Sequence, residues 1–176
     1  MIETNRLILR TFNNDDLNDM LDYLNQELPH CFFDMKVNSI HEAKNMLIKK
    51  IKDDFCFAIT LKETHKVIGE LFGILKDDKE TYSVCWILND RYQNKGYAFE
   101  AVKAYFSYLF NVRGIRRIYA YTEIDNISSQ KLCEKLTMRK EGVFIDFISF
   151  VKDENDKPIY ETTIQYAILK KEWNFN

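Results

Sequence analysis

Tyr92-Gln93-Asn94-Lys95-Gly96-Tyr97-Ala98-Phe99-Glu100 stands between two different rhythms. Before it, Tyr82, Val84, Trp86 and Leu88 alternate with Ser83, Cys85 and Ile87, the period of a strand. After it, Ala98, Ala101, Val102, Tyr105, Phe106 and Leu109 recur at helical spacing and predict a helix to about Asn111. A strand, a short loop with one glycine and a helix start make a shape that binds anions. The first amides of a helix have no partners inside it, and the helix dipole adds partial positive charge there. A phosphate or pyrophosphate satisfies both. Gly96 lets such a ligand approach the backbone closely. Taken alone, Gln-x-x-Gly-x-Ala is a weak motif. Its place between a strand and a helix gives it meaning.

Working outward, Arg6 to Arg10 reads as a strand. Asn13 or Asn14 caps the next helix, with Asp15 and Asp16 in its first turn and Leu17, Met20, Leu21 and Leu24 on its apolar face. Pro29 ends that segment, and residues 30–38 read as an irregular loop with Phe32 and Phe33. Ser39 caps a second helix, with Glu42 completing a capping box and Ala43, Met46, Leu47 and Ile51 as its stripe. Phe55 to Leu61, Val67 to Leu75 and Tyr82 to Leu88 form an antiparallel meander around polar turns. Downstream of the opening stretch, Arg116 to Thr122 is a strand that follows a helix. It is expected to run parallel to Tyr82–Leu88, with a right-handed connection. Asn126 caps a short helix, Ile127 to Leu136. Lys140 to Val151 and Ile159 to Leu169 are two long strands joined by a polar hairpin. The expectation is one α+β domain over residues 1–176.

The formal net charge of −2 offers no global attraction for nucleic acid. No apolar stretch approaches the roughly 20 residues of a membrane helix. The first residues, Met1 to Arg6, lack the apolar core of a signal peptide, so the cytoplasm is the expected location. Cys31, Cys56, Cys85 and Cys133 form no C-x-x-C pair and read as buried free thiols. His30, His41 and His65 have no metal-ligand spacing and read as solvated surface side chains, so no metal is expected. Tyr119 and Tyr121 share one face of their strand and read as an aromatic packing face.

Gln93-Asn94-Lys95-Gly96-Tyr97-Ala98 resembles the Gln/Arg-x-x-Gly-x-Gly/Ala motif of the GNAT acyltransferase superfamily. Three further segments extend the resemblance over nearly the whole chain. Thr4 to Arg10 looks like the start of the branch that includes the ribosomal-protein N-terminal acetyltransferases, Asn126-x-x-Ser129 with Leu132 and Leu136 like its helix after the fifth strand, and Ile164 to Trp173 like its closing strand. The resemblance implies a mixed, mostly antiparallel, twisted sheet flanked by helices and splayed between the fourth and fifth of the expected strands. It implies acetyl-CoA as co-substrate. The pyrophosphate would lie on Gln93, Asn94, Lys95, Gly96, Tyr97 and Ala98, and the pantetheine arm between Trp86, Ile87 and Leu88 on one side and Thr122 to Asn126 on the other.

The implied chemistry is direct attack of a primary amine on the thioester. It needs a carbonyl polariser, a donor to the leaving thiolate and a path for the amine proton. A backbone amide near Leu88 is the polariser by resemblance. Many family members carry a tyrosine seven residues after the asparagine; here that position is Cys133, and the usual Gly-Phe is Thr137-Met138. The resembling branch uses a serine instead, which matches Ser129. Ser129 also suits helix capping. Glu161 and Glu70 are the leading candidates for the base, ahead of Glu123. The acceptor is a protein N-terminus or a small-molecule amine, and the chain acts as a monomer or homodimer. The rivals are a coenzyme-binding sensor without transfer, and a loop that binds another nucleotide. The absence of Gly-x-x-x-x-Gly-Lys-Ser/Thr argues against the latter.

Overall fold

The computed structural model describes residues 1–37 and 39–175. Residue 38, the last of the loop expected over 30–38, lies outside the described residues. Among the described residues eight strands form one sheet: β1 (Ile2–Glu3), β2 (Leu7–Arg10), β3 (Phe57–Leu61), β4 (Val67–Leu75), β5 (Thr81–Leu88), β6 (Arg117–Glu123), β7 (Arg139–Lys152) and β8 (Pro158–Leu169). Among the described residues four α-helices flank it: α1 (Leu17–Leu24), α2 (Ile40–Ile51), α3 (Tyr97–Asn111) and α4 (Ile127–Lys135). The α+β fold and mixed sheet are as expected. Two details are new. β1 adds an edge strand, and β8 inserts between β6 and β7, giving the order β1-β2-β3-β4-β5-β6-β8-β7. Residues His30–Met35, expected as irregular loop, form a 3-10 turn.

Strand alternation sends side chains to two cores. Leu7, Leu9, Phe57, Ile59, Tyr82, Val84 and Leu88 pack under α3 and α4 with Tyr105, Phe106 and Leu109. Cys56, Ala58, Val67 and Ile87 face α1 and α2 with Met20, Leu24, Ala43 and Leu47. Tyr119 and Tyr121 meet edge to face with centroids 5.6 Å apart, and Tyr121 reaches Phe144 and Phe147, so the aromatic face is real. The caps follow the sequence. Asn13 closes a capping box with Asp16, and the Ser39 hydroxyl accepts from the Glu42 amide at 3.1 Å.

The feature that makes a site is where the sheet opens. β5 and β6 run parallel, but their ladder holds only at Thr81–Arg117, Tyr82–Ile118 and Ser83–Tyr119. Beyond it, β5 stays with β4 as far as Gly69–Leu88, while β6 stays with β8 as far as Glu123–Thr163. The strands therefore part in the direction of α3's first turn. Gly69 keeps β4 and β5 close at the mouth. A Cβ there would stand 2.2 Å from the Ile87 carbonyl oxygen, so no side chain fits.

Candidate active site

Three separate segments converge on the opening. The end of β5 brings Trp86, Ile87 and Leu88; the loop and first turn of α3 bring Gln93, Asn94, Gly96 and Ala98; the start of α4 brings Asn126, Ser128, Ser129 and Leu132. Together they line a cavity of about 240 Å³, walled on the far side by Gln26, Leu28, Pro29 and Phe32.

The backbone of the α3 loop is shaped for an anion. Asn94 and Gly96 have φ of 58° and 83°, in the left-handed region. Such turns aim successive amides at a common point, and the helix start adds its dipole. Lys95 and Tyr97 turn away from the cavity. The Lys95 ammonium bonds the Arg91 carbonyl oxygen at 2.7 Å, and the Tyr97 ring lies under the Arg6 guanidinium at 4.3 Å. Arg6 is a residue that sequence reasoning missed. Its amide and guanidinium both donate to Glu100 at 2.7 Å, and it also donates to the Lys95 carbonyl at 3.0 Å. The Thr4 hydroxyl adds a third bond to Glu100 at 2.6 Å. Burial works against ionisation of Glu100, but these donors outweigh it and hold its carboxyl below the usual range. The turn between β1 and β2 thus clamps the loop, an acidic first-turn residue serving as the anchor.

Across the opening, the Trp86 indole N–H donates to the Ser129 hydroxyl oxygen at 3.3 Å. Asn126 performs the cap, its side-chain oxygen accepting from the Ser129 amide at 3.1 Å. The Ser129 hydroxyl is therefore spared from capping, and its own proton remains available to a ligand. At the end of β5, the Asn89 amide donates to the Ile68 carbonyl on β4. By strand alternation the Leu88 amide and carbonyl face the opening. Gln26, a second residue missed in the sequence, holds that carbonyl at 3.0 Å and accepts from the Asp90 amide at 2.8 Å.

The carboxylates divide. Glu70 is fully buried on the α1–α2 face, its oxygen 2.5 Å from the Lys50 ammonium, and it does not line the cavity. Glu123 accepts from the Cys31 amide at 2.9 Å. Glu161 stands 2.6 Å from His30 Nδ1, and neither Glu161 nor Glu123 is among the residues lining the cavity. His30, expected as a solvated surface side chain, is thus a partner of Glu161. The hydrogen bond to the Glu161 carboxylate raises the imidazole pKa, with the charges of Glu161, Glu123 and Asp125 adding to the effect. Together these contacts tie the 3-10 turn across the mouth toward β6 and β8.

Cys133 is buried, and burial pushes its thiol up to about 12, so a thiolate nucleophile does not form there. Cys56 is buried as expected, Cys85 partly so, and Cys31 is exposed. Phe32 joins the cavity wall and packs on Phe72, while Phe33 faces solvent. Among the described residues no His/Cys/Asp/Glu group has the arrangement of a metal site, and no helix is long and apolar enough to cross a membrane.

Comparison with known proteins follows the same outline. Residues 6–139 match the model of the acetyltransferase (GNAT) domain. The chain is 31% identical over 175 residues to the uncharacterized N-acetyltransferase YnaD of Bacillus subtilis (strain 168), covering 98% of this chain and 99% of that one. An acetyltransferase of the GNAT family from Bacillus anthracis superposes with a TM-score of 0.86 at 27% identity, over 97% of this chain and 99% of the other. A Vibrio cholerae structure assigned as a ribosomal-protein-serine acetyltransferase superposes with a TM-score of 0.74 over 96% of each chain. At 20% identity it shares the fold alone.

Proposed function

The chain belongs to the GNAT family of acetyltransferases, and from that premise we propose that it moves an acetyl group from acetyl-CoA to a primary amine by direct attack in a ternary complex. One observation carries the proposal. Nine residues singled out for coenzyme binding, from three distant segments, line one cavity at an opened sheet. The cradle fits the group. Gly96 and Asn94 turn the backbone toward the pyrophosphate position, and the free edge of β5 offers the Leu88 and Trp86 backbone to an amide-bearing arm.

The chain's residues then divide the work. The Leu88 amide polarises the thioester carbonyl. The Ser129 hydroxyl donates to the departing sulfur, in place of the tyrosine that Cys133 replaces. Glu161 accepts the proton released by the amine. Glu70 is set aside as the base, because its carboxylate is committed to Lys50 on the other face. The branch motifs support an acceptor that is a protein N-terminus or a small-molecule amine, in the cytoplasm and without nucleic acid. The protein acts as a monomer or as a homodimer through Val143, Ile145, Phe147 and Tyr160, exposed on the β7–β8 hairpin.

Calorimetry with acetyl-CoA, ATP and NAD tests the donor, and saturable binding of acetyl-CoA alone is expected. A thiol-release assay across amines and N-terminal peptides then tests transfer. Tight coenzyme binding with no turnover on any acceptor would instead identify a sensor, the reading that the Cys133 and Thr137-Met138 departures leave open.

A further inference from the structure

We propose that His30 is a positioning residue of the transfer reaction: it holds the Glu161 carboxylate as proton acceptor and relays the amine's proton to water. The inference rests on the transferase reading and on Glu161 as base. Three observations carry it. First, His30 and Glu161 lie 131 residues apart in sequence, yet Nδ1 and Oε1 are 2.6 Å apart. Second, exposure grades across the pair, the Glu161 side chain being 15% exposed and that of His30 52%, so the pair runs from the protein interior to solvent. Third, His30 sits between Pro29 and Phe32, which both line the cavity, and the neighbouring Cys31 amide fixes the same turn to Glu123 at 2.9 Å.

The chemistry has a reason for the pair. A lone carboxylate, with an ordinary pKa near 4.3, is a poor acceptor at neutral pH, whereas imidazole titrates near 6.5. When the amine nitrogen bonds the thioester carbon, an N–H bond breaks and an O–H bond forms on Glu161. That proton passes to the Nδ1 lone pair of the neutral, Nε2–H imidazole. The imidazolium so formed, steadied by the restored carboxylate, loses its Nε2 proton to water, and exchange of the remaining Nδ1 proton through solvent restores the Nε2–H tautomer before the next turnover. The groups facing His30 are Glu161 from β8, Glu123 from β6 and Asp125 from the turn after it; the β7 residue registered opposite Glu161 is the uncharged Ile148. All three charges favour imidazolium. The relay is therefore blocked at low pH and opens as pH rises through a value above 6.5.

The test is His30→Gln, which can still donate to Glu161 but takes up no proton. Acetyl-CoA affinity is read by calorimetry, and kcat and KM for the amine are read from pH 5.5 to 9. The expected result is a coenzyme Kd within about twofold of wild type and kcat reduced about tenfold or more, with the limb above pH 6.5 gone. In Glu161→Gln, the His30 ring proton titration seen by NMR should move down toward 6.5. A wild-type profile in His30→Gln overturns the inference alone, as does a higher amine KM or coenzyme Kd with kcat unchanged, which would mark a merely structural tie. Absence of wild-type turnover overturns both the inference and the transferase reading.

Discussion

Replacing Gly96 separates backbone strain from ligand access. Its φ of +83° and ψ of 0° lie where an alanine pays roughly 1–2 kcal/mol for its Cβ. The new Cβ would also stand 3.3 Å from Arg6 Nη2, in the clamp that joins β2 to Glu100. Gly96→Ala should therefore cost about 1–2 kcal/mol. At roughly 2–4 °C per kcal/mol for a chain of this size, the melting temperature should fall by about 2–8 °C. Gly96→Asn should cost less, because asparagine tolerates the left-handed region, as Asn94 does two residues earlier. Both side chains nevertheless fill the space a pyrophosphate would approach. Acetyl-CoA affinity should drop about tenfold or more in each, roughly 1.4 kcal/mol. Thermal melts with and without acetyl-CoA, plus calorimetry, measure the two effects separately. A Gly96→Asn protein that binds acetyl-CoA like wild type would refute the cradle, and an undisturbed melt of Gly96→Ala would refute the strain argument.

Three other perturbations probe different links. Ser129→Ala should lower kcat about 10²-fold with an unchanged melt, since Asn126 still caps α4, whereas Asn126→Ala should cost about 1 kcal/mol in a denaturant titration. Lys50→Met should destabilise by about 3–5 kcal/mol because it strands the buried Glu70, and Lys50→Met with Glu70→Leu should recover most of that loss; a double variant no better than the single would dismiss the pair's burial as the cause. The Glu141 carboxyl is held at about 2 by hydrogen bonds from Arg117 and then Arg139, against an ordinary 4.5. A depressed folded-state pKa gives stability that is present above 4.5 and lost as pH falls toward 2, so Glu141→Gln should flatten the melting-temperature decline across that window.

The local elements were legible because their signals are local. The 2-to-3.6 change of period around residues 92–100 marked both β5 and α3, and Asn126 announced α4 as its cap. What sequence could not show was non-local pairing. Nothing in Lys140–Leu169 says that the last strand slips between β6 and β7, since either order buries the same faces. His30 read as solvated because its partner is 131 residues away. Arg6 read as a charged strand end, although its carboxylate partner is the acidic residue of α3's first turn. Lys50 did leave a trace. It falls on the Ala43–Leu47 face of α2, where an unpaired ammonium is costly, so an acidic partner in an apolar strand was the one to seek. Glu70 in β4 is that partner, which moves it from candidate base to core ion pair.

The parting of β5 and β6 also has a meaning for solubility. A sheet opened in its middle has two interior margins, each carrying backbone groups that seek a strand, and such margins invite pairing with other chains. Here the 3-10 turn at His30–Met35 and the start of α4 stand over the gap. An acyl-CoA lying in it would complete the ladder. On the proposed reading, the protein without acetyl-CoA should clump first on mild heating, ahead of any loss of helix, and added acetyl-CoA should delay that clumping.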